Sequence, residues 1–185
     1  MALLHVNFYS RTLERETQMD VILPEAAKKL IGMEGVATRQ CKTLYLLHGM
    51  SDDQTIWQRR TSIERYVAAY GLAVVMPTTD LGWYTDMYRG DKYFAFITRE
   101  LPAVCRRMFG LGAAREQNYI FGLSMGGYGA MKCALTYPDR YAGAASFSGV
   151  CDLRRTVERR SISLHESEIA AIFGEEKAVP PKDDL

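Results

Sequence analysis

The feature that most constrains this chain is a series of short, almost wholly apolar runs, each followed by a turn or a helix-periodic stretch. Thr43–Leu47 (TLYLL), Leu72–Met76 (LAVVM), Tyr119–Leu123 (YIFGL) and Tyr141–Phe147 are four such runs. A strand that alternates apolar and polar residues has one face in water, whereas a strand apolar throughout is buried on both faces. That is the condition of a parallel sheet covered by helices. The segments between the runs have the helical period. One helix, carrying Trp57, Ile63, Tyr66 and Val67, is predicted after an N-cap at Asp52 or Asp53. A second is predicted from Asp91 to about Met108, with Tyr93, Phe94, Ile97, Leu101, Val104 and Cys105 on its apolar positions and a kink or split at Pro102. A third runs from Met125 to about Tyr137. Leu3–Tyr9 and Met19–Leu23 read as an opening hairpin, giving six strands in all. The expected class is α/β, with a mostly parallel sheet and helices on both faces.

At 185 residues the chain is expected to form one domain, 1–185. From about Val150, after the sixth strand, it turns polar. Arg154, Arg155, Arg159 and Arg160 alternate there with Glu158, Glu166 and Glu168, as on a solvated helical excursion. Pro180-Pro181-Lys182-Asp183-Asp184-Leu185 reads like the start of a helix with none following, so truncation at the C-terminus is expected. The 23 basic and 22 acidic residues nearly cancel and do not cluster by sign, which points away from nucleic acid and anionic membranes and toward a small-molecule partner. Self-association is left open. Cys41, Cys105, Cys133 and Cys151 lack metal or disulfide spacing, no His/Cys/acid cluster suggests a metal, and no cofactor is implied. The first residues lack a signal-peptide pattern and no run approaches a membrane span, so a cytoplasmic location is expected.

The chemistry is carried by Gly122-Leu123-Ser124-Met125-Gly126, a G-x-S-x-G pattern lying where a buried strand ends and a helix begins. Chance places the pattern in roughly one chain in fifteen to twenty of this length, so the pattern alone decides little. The strand–turn–helix setting decides more: it is that of a nucleophile elbow, in which a strained turn lifts the serine hydroxyl above the sheet. Gly122 and Gly126 are expected where strand and helix come too close for side chains. An oxyanion would be held by the Met125 N–H and by an N–H after the early strand, here Met50 of His48-Gly49-Met50. His48 precedes the serine, the wrong chain order for its base, and is read as bracing the loop.

The stretches LYLLHGMSDDQTIW, Gly82-Trp83-Tyr84-Thr85-Asp86-Met87 and YIFGLSMGGYGAMKCALTYPDRYAGAASFSG resemble the esterase D family, which includes S-formylglutathione hydrolases and acetyl, tributyrin and feruloyl esterases. The cytosolic tributyrin/acetyl esterase type is nearest. The resemblance extends to about Leu153 and implies an α/β-hydrolase fold, with hydrolysis of short-chain acyl esters through an acyl-enzyme on Ser124. It also implies a catalytic acid and histidine on later strands, beyond Leu185, so this chain alone is expected to be inactive. A thioesterase or acyltransferase on the same scaffold, and a non-catalytic fragment, are the alternatives.

Asp152 and His165 follow Ser124 in triad order, but neither follows a recognisable strand. A helix-capping aspartate and an exposed histidine are the preferred reading. Trp57 and Tyr84, with Trp83 and Tyr88, are candidates for lining a substrate pocket or for packing. Tyr66, Tyr70, Tyr93 and Tyr128 are read as core or surface filling.

Overall fold

The computed structural model describes residues 1–30, 33–36, 41–162 and 164–185. Strands β1 (Ala2–Ser10) and β2 (Arg15–Leu23) form the expected hairpin, with Ala2 opposite Leu23. A separate two-stranded ribbon, β3 (Ala27–Leu30) with β4 (Met33–Gly35), was not anticipated. The four apolar runs become β5 (Thr43–Leu47), β6 (Ala73–Pro77), β7 (Asn118–Leu123) and β8 (Gly143–Phe147). The main sheet has the order β1-β2-β6-β5-β7-β8, parallel from β6 to β8, with the hairpin joined antiparallel through β2.

Side chains of successive strand residues point to opposite faces, and the two cores separate by that parity. Leu44, Leu46, Val74 and Met76 pack with Ile63 and Val67 of helix α2 (Ile63–Ala68) on one face. Tyr45, Leu47, Ala73 and Val75 face the other core, with helices α4 (Leu101–Phe109) and α5 (Met125–Thr136). β5 and β6 are covered on both faces, as their unbroken apolar runs require, whereas β7 is buried at alternate residues and β8, at the sheet edge, is partly exposed throughout, which corrects the expectation of four fully buried strands.

Three helix boundaries depart from expectation. The helix expected after Asp52 or Asp53 is two short ones, α1 (Ile56–Arg60) and α2, because Thr61 turns extended between them and its hydroxyl closes back on the Trp57 carbonyl. Asp53 caps a turn instead, accepting the Thr55 N–H at 2.8 Å. The second helix starts at Tyr93 (α3, Tyr93–Ala95), not Asp91, whose carboxylate is held by Arg15 at 3.0 Å and Tyr93 Oη at 2.9 Å. Pro102 does not split this helix. A π-helical turn over Phe96–Glu100 precedes it, and the Thr98 carbonyl, deprived of an i+4 N–H by the proline, accepts Arg140 Nη1 at 2.9 Å.

The polar excursion is helical, as α6 (Leu153–Glu158) and α7 (Glu166–Phe173), but less solvated than its charges suggest. Leu153, Val157, Ile169, Ile172 and Phe173 are buried against the main core. The Pro-Pro terminus forms a 3₁₀ turn, Pro181–Asp183, and Asp183 is buried in an ion pair with Lys132 of α5.

Candidate active site

Parallel pairing sets the site. Leu47 at the end of β5 is in register with Gly122 near the end of β7, and Leu123 is in register with Phe147 at the end of β8. The loops that follow β5 and β7 therefore leave the sheet side by side. Ser124 occupies the turn into α5 with φ 53° and ψ −114°, a strained conformation for a residue with a side chain, and its N–H donates to Phe147 O at 2.8 Å. The helix starts at the next residue, so its unpaired amino-terminal N–H groups begin at Met125.

The glycines are fixed by close approach. A Cβ on Gly122 would lie 2.1 Å from Gly126 O, and one on Gly126 would lie 2.5 Å from both Leu47 O and His48 O. Neither neighbour is a flexible side chain, so α5 can run this close to β5 and β7 only with both glycines. On the other side of the serine, a Cβ placed on Gly49 would stand 3.8 Å from Ser124 Cβ. The Gly49–Met50 loop thus abuts the serine directly. Among the described residues the Met50 N–H and the Ser124 hydroxyl have no hydrogen-bond partner.

His48 holds that loop. Its Nε2 accepts the Thr79 N–H at 3.0 Å, which fixes the proton on Nδ1, and Nδ1–H donates to Gly49 O at 2.7 Å. Burial lowers its pKa, outweighing the opposing hydrogen bond to Gly49 and the nearby aspartates, so the ring is neutral. With both nitrogens engaged it is a brace, as its chain order suggests. The Tyr84 hydroxyl donates to His48 O at 3.0 Å, adding a second strut.

Tyr84 is wholly buried, and its ring fills the space that the missing side chain of Gly129 leaves in α5. It supports the loop from below and does not line an open pocket, which corrects that expectation. Trp83 is also buried, packed on Tyr128, whereas Tyr88 is exposed. Tyr66 and Tyr70 are on the surface and Tyr93 and Tyr128 in the core. Trp57 is half-buried, donates to Leu47 O at 3.2 Å and meets Phe147 edge-on with ring centres 6.2 Å apart. Phe147 and Leu123, which flank the elbow and remain partly exposed, went unnoticed in the sequence because nothing local marks them.

Asp152 and His165 are not brought to Ser124 as a pair of partners. Asp152 caps α6, accepting the Arg155 N–H at 2.8 Å. His165 is exposed at the start of α7, its N–H donating to Glu168 Oε2 at 2.7 Å. His5 is on β1, bonded to Asp20 at 2.8 Å.

A serine at a strand–helix elbow, facing a glycine loop from the neighbouring strand, matches a known family. Residues 10–183 match the family described as "Putative esterase". The chain belongs to this esterase family. An acetyl esterase of Caldicellulosiruptor saccharolyticus is 34% identical over 149 residues, covering 80% of this chain and 56% of the relative. An S-formylglutathione hydrolase of Bos taurus is 25% identical, covering 62% of this chain and 48% of the relative. The chain thus spans about half the length of the curated relatives it matches. A fluorophosphonate-binding serine hydrolase of Staphylococcus aureus superposes with a TM-score of 0.85 at 35% identity, covering 99% of this chain and 70% of that one. An S-formylglutathione hydrolase from the same organism gives a TM-score of 0.81 at 35% identity, again covering 99% and 70%. Esterase membership and the α/β-hydrolase fold are therefore established. Among the described residues no helix is long and apolar enough to cross a membrane.

Proposed function

We propose that the protein is a serine carboxylesterase acting on short-chain acyl esters, with Ser124 as nucleophile. The observation that carries this reading is the backbone of Ser124, held at φ 53° and ψ −114° against the Gly49–Met50 loop. The Ser124 hydroxyl oxygen bonds to the ester carbonyl carbon and its proton passes to a base. The carbonyl oxygen, now negative, is held by the N–H groups of Met50 and Met125, each worth about 3 kcal/mol in the transition state. The C–O bond to the alcohol breaks, the alcohol takes the proton, and water releases the acid from Ser124 by the same steps.

None of His5, His48 and His165 serves as that base: His5 is on edge strand β1, separated from β7 by three strands, His48 uses both ring nitrogens, and His165, at the start of α7, makes no contact with Ser124 among the described residues. The base and its orienting acid are assigned to residues outside 1–185, in keeping with the share of the relatives that this chain does not span. Residues 1–185 alone are expected to be inactive or nearly so, because losing the histidine of such a triad costs about six orders of magnitude. A cytoplasmic setting fits the reading.

The similarity to S-formylglutathione hydrolases favours a second reading, thioester hydrolysis at the same serine. Comparing kcat/KM of the intact protein for acetyl, butyryl and longer esters with that for S-formylglutathione separates the two. Acetyl or butyryl esters turning over fastest supports the esterase; a thioester preferred while the esters are untouched overturns it.

A further inference from the structure

At the end of the sheet opposite Ser124 lies a cavity of about 340 Å³, between α4, the π-helical turn and the amino ends of β5, β7 and β8. Asn118 of its wall and Ser124 are separated by the whole of β7, about 20 Å. Three guanidinium groups line it, those of Arg99, Arg106 and Arg140, and no carboxylate does. Among the described residues none of the three forms an ion pair, whereas Arg15, Arg89, Arg154 and Arg160 each do. Three unneutralised cations around one concavity favour an anion.

Two further wall residues supply neutral donors. Tyr45 and Tyr141 are 2% and 6% exposed, and among the described residues no hydrogen bond engages either hydroxyl. Their rings are packed, but the hydroxyl oxygens keep access to solvent in the cavity, so each is free to donate to a ligand there. Burial keeps both phenols protonated, while the nearby charges of Arg106 at Tyr45 and Arg140 at Tyr141 pull the other way. The Asn118 amide, by contrast, is already spent on Gly112 O and Ala114 O. Arg140 is preorganised: Pro102 frees the Thr98 carbonyl that holds Nη1, and the guanidinium lies 3.9 Å over the Tyr137 ring.

We propose that this cavity binds a phosphate-bearing small molecule, gripped by Arg99, Arg106 and Arg140 and receiving hydrogen bonds from Tyr45 and Tyr141. Guanidinium forks match the geometry of a phosphate, and the volume, at the low end for ligand pockets, suits a phosphate carrying a sugar-sized body. The site is independent of Ser124 and of the esterase reading.

Isothermal titration of the intact protein at physiological salt with ribose 5-phosphate, inorganic phosphate, ribose and succinate tests it. Ribose 5-phosphate is expected to bind, ribose not at all, and inorganic phosphate more weakly. Arg106→Gln is expected to weaken ribose 5-phosphate by about tenfold or more, as is Arg140→Gln. The Arg106 side chain makes no hydrogen bond among the described residues, so its replacement is expected to leave the fold intact and keeps the test readable. Absence of saturable binding by either phosphate, succinate binding as tightly as ribose 5-phosphate, or binding unchanged in Arg106→Gln overturns the proposal.

Discussion

His48 and Thr79, 31 residues apart, meet at one buried ring nitrogen: Nε2 accepts the Thr79 N–H at 3.0 Å and also lies 3.3 Å from Thr79 Oγ1. The N–H bond fixes the ring's tautomer and so aims Nδ1–H at Gly49 O, tying the loop beside Ser124 to the loop that follows β6. His48→Ala is expected to leave the Thr79 N–H unpaired, costing about 1–3 kcal/mol in denaturant unfolding, and to lower kcat more than it raises KM. An unchanged kcat would separate the brace from catalysis.

The same ring sets a pH dependence. Burial holds its folded pKa below the ordinary value of 6.5, so across the interval between the two values the unfolded chain binds more protons than the folded one. Its contribution to stability is complete above 6.5 and lost as pH falls through the lower folded value. Unfolding midpoints of wild type and His48→Gln should converge as pH falls below 6.5; parallel curves would contradict the assignment.

Gly122 and Gly126 are required by backbone contact and not by local flexibility alone. Gly126→Ala, whose Cβ would meet two carbonyl oxygens at 2.5 Å, is expected to destabilise by about 3 kcal/mol or more. Gly143→Ala, where the nearest atom is a tyrosine side-chain carbon at 3.3 Å, serves as comparator and should cost far less. Equal losses in urea unfolding would show that crowding at the elbow is not the cause.

Lys132 and Asp183 form a buried pair with 3% and 5% of their side chains exposed, and Lys132 also lies 4.5 Å over the Phe94 ring. Burial lowers the Lys132 pKa, and Asp183 opposes that shift. Lys132→Met should cost about 3–5 kcal/mol by stranding the carboxylate, and Lys132→Met with Asp183→Leu should recover much of it. Additive losses in the double-mutant cycle would mean that the two side chains are not coupled.

Phe147 is 47% exposed beside the elbow and touches Trp57, so its loss should alter substrate choice more than stability. Phe147→Ala is expected to reduce kcat/KM for butyryl esters several-fold relative to acetyl esters, at about 0.8 kcal/mol for each methylene left unburied. A uniform fall for both would place the acyl group elsewhere.

What was legible in the sequence was what neighbours along the chain dictate. TLYLL, LAVVM and YIFGL read as strands, the first two buried on both faces, and G-L-S-M-G at the end of the third located Ser124 and its two glycines. What was not legible depended on distant partners. Asp91 looks like an N-cap but is taken by Arg15, 76 residues away. The terminal Asp183 looks like a helix start but is buried against Lys132, 51 residues away. Tyr84 reads as a pocket aromatic until the gap at Gly129 places it in the core. The charges around Arg154–Arg160 masked apolar Leu153, Val157 and Ile169, whose spacing alone did not reveal that the excursion packs on the main core.

The central claim is that Ser124 is an activated nucleophile in the intact protein. Intact-mass measurement before and after treatment with a fluorophosphonate probe, repeated with Ser124→Ala, tests it most directly. The account predicts one adduct per chain that disappears in the variant; no adduct on the intact protein, or an adduct that survives Ser124→Ala, would contradict it.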